Sequence, residues 1–232
     1  ILSACGKQRT SSDAFEKTGD ACLSEAIPKS FVVKYFDGRV ERVSAPSKEE
    51  FVSGFLNEHL QEIEFAEHDF RVQLNDVVHP MATQAAFADN WGQVRVSVSA
   101  VWAAKVRGAG VTVAIVDTGM DINHPQLRKQ LAVNPGEIGL DPQGRDKSSN
   151  GIDDDGNGFV DDAGGWDFVT NSPLIQDHAG HGTHVAGIIA GAHSDETAGS
   201  ANYVQGIAPS AKLLPLAFLD EGGSGSMLNG VK

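Results

Sequence analysis

From Phe31 the chain sets short apolar runs between turn residues. Phe31-Val32-Val33-Lys34-Tyr35-Phe36 is β-branched and aromatic and stops at Asp37-Gly38, which predicts a strand closed by a tight turn. Val40 and Val43 extend the chain beyond it. Ser47, with Glu50 three residues later, has the spacing of a capping box, and Phe51, Phe55, Leu56 and Leu60 follow on one helical face. Ile63 and Phe65, then Phe70, Val72 and Leu74, alternate with polar residues as half-buried strands do. A unit of about fifty such residues is marginal as a free domain and is expected to lean on a partner. Asn75 to Asn90 has no steady period and reads as a linker or loop. The expected organisation is therefore a small α+β domain over 28–80 and a larger domain over 81–232.

The larger domain changes pattern. Val101 to Val106 predicts a short helix ended by Gly108 and Gly110. Val111 to Val116 is an almost unbroken apolar run, the signature of a strand buried in a parallel sheet, and it delivers Asp117 at its carboxyl end. Ligands and catalytic groups of α/β sheets gather outside those strand ends. On position alone, Asp117 is either functional or a turn-former. A helix is expected to start near His181, with Gly187, Ala190 and Gly191 small enough for tight packing. His178, His181 and His184 stand three apart, which raises a zinc alternative, but Gly180 and Gly182 interrupt a regular helix through all three. Nor do they match the i, i+4 histidines and glutamate of a zinc peptidase helix. His178 and His184 therefore read as structural or partly exposed, and His59, His68 and His79 show no ligand spacing either.

Composition narrows the functions. Eighteen Lys and Arg against 31 Asp and Glu leave a formal charge of −13, which argues against a nucleic-acid partner because phosphate binding needs a basic stripe. The 41% hydrophobic content supports a buried core. No run of about eighteen apolar residues occurs, so no bilayer-spanning helix is expected. Two cysteines are too few for a disulfide scaffold or a four-thiolate metal site.

Leu2-Ser3-Ala4-Cys5 resembles the lipobox of bacterial lipoproteins, with residues 1–5 as the remnant of a signal peptide and Cys5 as the lipidated residue. A Cys5–Cys22 disulfide or two free thiols are the alternatives. Residues 6–27 are polar and read as a tether. A secreted or cell-envelope location is expected, with membrane contact only through that lipid. The chain opens on Ile1 and closes on Met227-Leu228-Asn229-Gly230-Val231-Lys232, and reads as a fragment at both ends.

The most acidic stretch runs from Asn150 to Asp162. Calcium takes six to eight oxygen ligands, and Asp153, Asp155, Asn157 and Asp161 fall at loop positions 1, 3, 5 and 9 of an EF-hand-like count. The glutamate expected at the end of such a loop falls on Gly164, so the match is incomplete. A structural Ca2+ is expected, against a plain solvated acidic turn.

Three segments together carry a resemblance. Val113-Ala114-Ile115-Val116-Asp117-Thr118-Gly119, then His124-Pro125-Gln126-Leu127, then His181-Gly182-Thr183-His184-Val185-Ala186-Gly187 resemble the subtilisin-like serine peptidase family. The resemblance covers roughly residues 29 to 232. It implies a three-layer α/β fold with a mostly parallel sheet, endopeptidase activity on protein or peptide substrates, and a triad in the order Asp, His, Ser. Residue by residue, it makes Asp117 the orienting acid and His181 the general base. It also makes Gly223, Ser224 and Gly225 a segment that lies antiparallel to bound peptide, where β-augmentation supplies backbone hydrogen bonds. Ile63 to Phe70 resembles the last strand of the family's propeptide, a second expected partner of the site. Gln126 stands where many relatives have a calcium-ligating Asp. The Gly-Thr-Ser-Met-like motif that carries the nucleophile does not occur; the only Gly-Thr pair is Gly182-Thr183. Two readings are open: the front part of an active peptidase whose serine lies beyond Lys232, or a non-catalytic relative acting as a binding or inhibitory module.

Overall fold

The computed structural model describes residues 26–74, 91–192 and 205–231. Cys5, Cys22, the tether up to residue 25, His79 and the linker expected at 75–90 lie outside the described residues, while Ala26 and Ile27, expected in the tether, open the first strand. The chain divides into two compact units, Ile1–Gln73 with Ser224–Lys232, and Leu74–Gly223. No helix of the described residues is long and apolar enough to cross a membrane.

The first unit holds a four-stranded antiparallel sheet in the order β2-β1-β3-β7, built from β1 (Ala26–Tyr35), β2 (Val40–Ser44), β3 (Ile63–Gln73) and β7 (Ser224–Ser226). The expected hairpin forms at Asp37-Gly38, where Gly38 takes φ 91° and Tyr35 N–H donates to Arg39 O at 2.9 Å. Ser47 caps the helix α1 (residues 48–59), its Oγ accepting from Glu50 N–H at 3.2 Å. The middle of α1, Val52–Leu56, is π-helical. Phe31 stacks on Phe51 with ring centroids 4.2 Å apart, inside a core that also buries Val33, Tyr35, Leu56, Ile63 and Ala66.

Strand β3 departs from its expected pattern. It is one strand of 11 residues, and it buries Ala66, Glu67 and Asp69 while Val72 is exposed. Asp69 is fully buried because it is fully engaged. Arg42 pairs with it at 2.7 Å, Ser30 Oγ donates to it at 3.2 Å, and Leu228 N–H, in the short helix α5 (Met227–Val231), donates to it at 3.4 Å. A buried carboxylate is tolerable only with such partners.

The second unit holds a parallel three-stranded sheet in the order β4-β6-β5, from β4 (Thr112–Asp117), β5 (Trp166–Asp167) and β6 (Lys212–Ala217). Short helices α2 (Trp91–Arg95) and α3 (Val98–Ala103) precede it, and α4 (His181–Ala190) packs on β4 and β6. Ile115, Met120, Leu127, Ala186, Ala190, Ala211 and Leu213 form the core beneath α4. The expectation that Val111 to Val116 is buried on both faces does not hold among the described residues. Val113 and Ile115 turn to the α4 side, while Val116, on the opposite face, is about half exposed at 49%; Val111 lies before the strand begins. Successive strand residues face opposite sides, so one covering helix buries only every second residue.

Candidate functional site

Asp117 is the last residue of β4 and pairs in register with Ala217 of β6. Its backbone carbonyl accepts from Phe218 N–H at 2.9 Å, which ties the strand end to the chain leaving β6. The side chain is turned inward and the residue is 8% exposed. His181 opens α4, after Gly180 in a left-handed conformation. Its Nδ1 lies 2.7 Å from Asp117 Oδ1 and 2.9 Å from Oδ2. An ionised carboxylate only accepts, so Nδ1 carries the proton and donates, leaving the Nε2 lone pair for another group's proton. The aspartate thus selects the tautomer that a general base needs.

Two glycines of the motifs make this meeting possible. A Cβ on Gly182 would come 2.1 Å from the Gly119 carbonyl oxygen, and a Cβ on Gly119 would come 2.1 Å from the Gln176 carbonyl oxygen. Gly119 also has φ 110°, a region L side chains rarely adopt. Backbone therefore packs on backbone where the strand end meets the helix start. Gly187, expected to serve tight packing, has nothing within 4 Å of an added Cβ among the described residues. The close approach on that side is made by Gly206, whose Cβ would meet Gly191 N at 2.5 Å.

Around the pair lies a network the sequence reading did not assign. Asp177 Oδ1 accepts from Thr118 Oγ1–H and Gly180 N–H, both at 2.8 Å. Its Oδ2 accepts from Thr183 N–H at 2.8 Å and Thr183 Oγ1–H at 2.6 Å. Thr118 Oγ1 in turn accepts from Gly182 N–H at 3.1 Å, and Asp121 N–H donates to Thr183 Oγ1 at 2.9 Å. One carboxylate thus binds the residue after Asp117 to the residues on either side of His181. The available signal was the pair of threonines inside the motifs; an aspartate four residues before His181 carried none alone.

Burial alone would raise the Asp177 pKa, but the hydrogen bonds from Thr183, Thr118 and Gly180 outweigh it and hold the carboxyl below its ordinary range. A folded-state pKa below the unfolded one stabilises the protein above the unfolded value, and that stabilisation is lost as pH falls through the folded value. Asp177→Asn is therefore expected to cost about 1.5–3 kcal/mol at pH 7, the range for hydrogen bonds to a charged group. The deficit should shrink below about pH 4, as the wild-type carboxyl protonates. Thermal melting of both proteins at pH 7 and pH 3 checks this; an equal deficit at both values would remove the charge from the argument.

The remaining predicted residues fall in three places. Ser224 and Gly225 are in β7, paired antiparallel with Gln73 and Val72 of β3, and Gly223 O accepts from Leu74 N–H at 2.8 Å. His178 and His184 are exposed and join no candidate metal group among the described residues. In the acidic stretch, Asp153 accepts from the N–H groups of Gly156, Asn157 and Gly158, and the bond from Gly158 N–H leads in holding its carboxyl below the ordinary range. Asp155 accepts from Asn157 N–H. Asn157 turns its amide N–H toward Asp155 and Asp162, and Asp161 accepts from Gly151 N–H. Asp153 and Asp155 have ligand atoms within 4.8 Å of one another and of Glu137, a group able to hold a metal ion. Glu137 was missed because it lies sixteen residues upstream, outside any loop count.

A profile described as the subtilase family matches residues 108–231. Thermitase of Thermoactinomyces vulgaris is 34% identical over 119 residues, covering 51% of this chain and 30% of the relative. The major intracellular serine protease of Bacillus subtilis (strain 168) is 36% identical over 135 residues, covering 56% and 32%. Subtilisin Savinase of Lederbergia lenta is 34% identical over 137 residues, covering 59% and 36%. The chain spans about a third of the length of these relatives. The matched stretch takes in β4, the Asp117–His181 pair and the parallel sheet that sets them together, and on that match over more than half its length the chain belongs to the subtilase family.

Proposed function

We propose that the protein carrying this chain is a serine endopeptidase acting on proteins or peptides, with Asp117 as orienting acid and His181 as general base. One observation carries the reading: both carboxylate oxygens of Asp117 lie within 2.9 Å of His181 Nδ1, which points the Nε2 lone pair outward as a proton acceptor. Family membership and relatives named as serine proteases support it. In this scheme a serine hydroxyl, in the Gly-Thr-Ser-Met-like setting the resemblance implies, gives its proton to Nε2 as its oxygen attacks the scissile carbonyl. His181, now an imidazolium stabilised by Asp117, returns that proton to the departing amine.

The segment Gly223-Ser224-Gly225 is the proposed edge for substrate backbone. Its pairing with Val72 and Gln73 supports this, since an extended stretch of the chain already uses it as a strand partner. Ile63 to Phe70, within β3, are accordingly read as the last strand of a propeptide-like domain. A hard divalent cation, Ca2+, is assigned a structural role in the acidic stretch.

The test is labelling of the full-length protein with a fluorophosphonate, beside a casein-type assay. One serine should be labelled stoichiometrically, and His181→Ala should abolish both labelling and proteolysis. Labelling that survives His181→Ala at the wild-type rate would take the base role from His181.

A further inference from the structure

The geometry points to a divalent-cation site built by Glu137 together with Asp153 and Asp155, a staple between two loops rather than an ion held inside one EF-hand-like loop. The inference rests on the reading that this region binds calcium, and it differs from that reading in the ligands it names.

Glu137 ends the 3-10 turn Pro135–Glu137 and is 0% exposed. Its two carboxylate oxygens are treated unequally. Oε1 accepts from Asp154 N–H at 2.7 Å and Asp155 N–H at 3.2 Å. Oε2 is buried and has no hydrogen-bond partner among the described residues. A buried carboxylate oxygen without donor or counter-ion is costly, and polar groups left so inside a fold commonly mark an ion or water that belongs there. Asp153 and Asp155 each bring a carboxylate oxygen within 4.8 Å of the other and of a Glu137 carboxylate oxygen. That spread suits calcium, whose ligand oxygens lie about 2.3–2.6 Å from the ion and so about 4.6–5.2 Å apart at most.

The backbone is shaped for the same purpose. A Cβ on Gly136 would stand 2.4 Å from both Cβ and Oδ2 of Asp155, so only glycine lets that side chain lie against the turn. Asn134 steadies the approach, its Nδ2–H donating to Asp155 Oδ2 at 2.9 Å and to Asp162 Oδ1 at 2.7 Å. The nearby cation, Lys147, is spent elsewhere: Nζ donates to Gly136 O at 3.2 Å and lies 3.9 Å from Asp154. Three carboxylates held this close repel one another unless a cation joins them. Asp161 stands outside this group of three carboxylates, and its own carboxylate accepts from Gly151 N–H. The ion ties the turn after Asn134, whose N–H donates to Ala163 O at 2.9 Å, to the acidic loop.

The experiment is calcium titration by calorimetry into the EDTA-stripped full-length protein, with melting curves in calcium and in chelator. Wild type should bind and melt higher with calcium. Glu137→Gln should weaken calcium binding by at least about 10-fold, in line with the cost of disturbing metal ligation. Asp161→Asn, which keeps an acceptor for Gly151 and tolerates the positive φ of that position, should bind as wild type does. Calcium binding kept in Glu137→Gln and lost in Asp161→Asn would overturn this site while leaving a calcium loop standing. No binding by wild type would sink both readings. Should Glu137→Gln fail to fold, Gly136→Ala decides, since its Cβ would displace Asp155 from Glu137: calcium binding should weaken there too, and binding unchanged from wild type would overturn the site.

Discussion

Asp117→Asn is expected to lower kcat of the full-length peptidase by about 10⁴-fold while leaving its fold intact. The reason lies in which atoms compete for the side chain. Thr118 N–H donates to Oδ1 at 2.7 Å, and in the variant it would hold the amide oxygen at that position. The NH2 group then takes the place of Oδ2, 2.9 Å from His181 Nδ1. Nδ1 then faces a donor at the Oδ2 position and, at the Oδ1 position 2.7 Å away, an amide oxygen that accepts more weakly than a carboxylate, so the balance moves toward the tautomer with its proton on Nε2. A histidine protonated there cannot accept a proton from serine, and the imidazolium of the transition state loses its counter-charge. Because the interaction matters after substrate is bound, kcat and kcat/KM should fall together with KM nearly unchanged. Steady-state kinetics on a peptide substrate, with circular dichroism to verify the fold, measures this. A variant within tenfold of wild type would show that Asp117 does not set the tautomer.

Gly182→Ala is expected to damage stability and rate together. The added Cβ lies 2.1 Å from the Gly119 carbonyl oxygen and 3.2 Å from Asp117 Cβ. The first contact is with backbone, which cannot rotate away as a side-chain tip would. Nor can Gly119 retreat freely, because the Gln176 carbonyl oxygen closes its other side, 2.1 Å from where a Cβ would stand. The start of α4 must therefore shift away from the end of β4. Overpacking of this kind costs about 1–3 kcal/mol. Because His181 precedes the new methyl, the Asp117–His181 bond stretches, and a misplacement near 1 Å can cost about 10²-fold in rate. Gly187→Ala is the control within the same helix. Its Cβ meets nothing among the described residues, and alanine in a helix is favoured over glycine by about 1 kcal/mol. Melting temperature and kcat of the two variants should move in opposite directions or differ sharply. Equal behaviour would show that the backbone contact at Gly182 relaxes without consequence.

Local chemistry was legible along the chain. The Asp37-Gly38 hairpin, the Ser47 cap and the strand ending at Asp117 are each written within a few consecutive residues, where turn preference and periodicity act directly. The Asp117 and His181 motifs could be read for the same reason, since each is short and contiguous. What the tertiary structure decided is where distant residues meet. Asp69 is buried because Ser30 arrives from the adjacent β1 and Arg42 from β2 beyond it, so alternation along β3 alone pointed to the wrong partners for its inner face. Val116 stays half exposed because α4 covers one side of β4, a matter of layers and not of strand composition. Gly182 and Gly187 look equivalent in one motif, yet only the former touches another backbone. Glu137 and Asp177 show the limit most plainly. Charge, spacing and propensity describe a residue and its neighbours, whereas a carboxylate's role depends on which donors or ions surround it, and those come together only when separate loops pack.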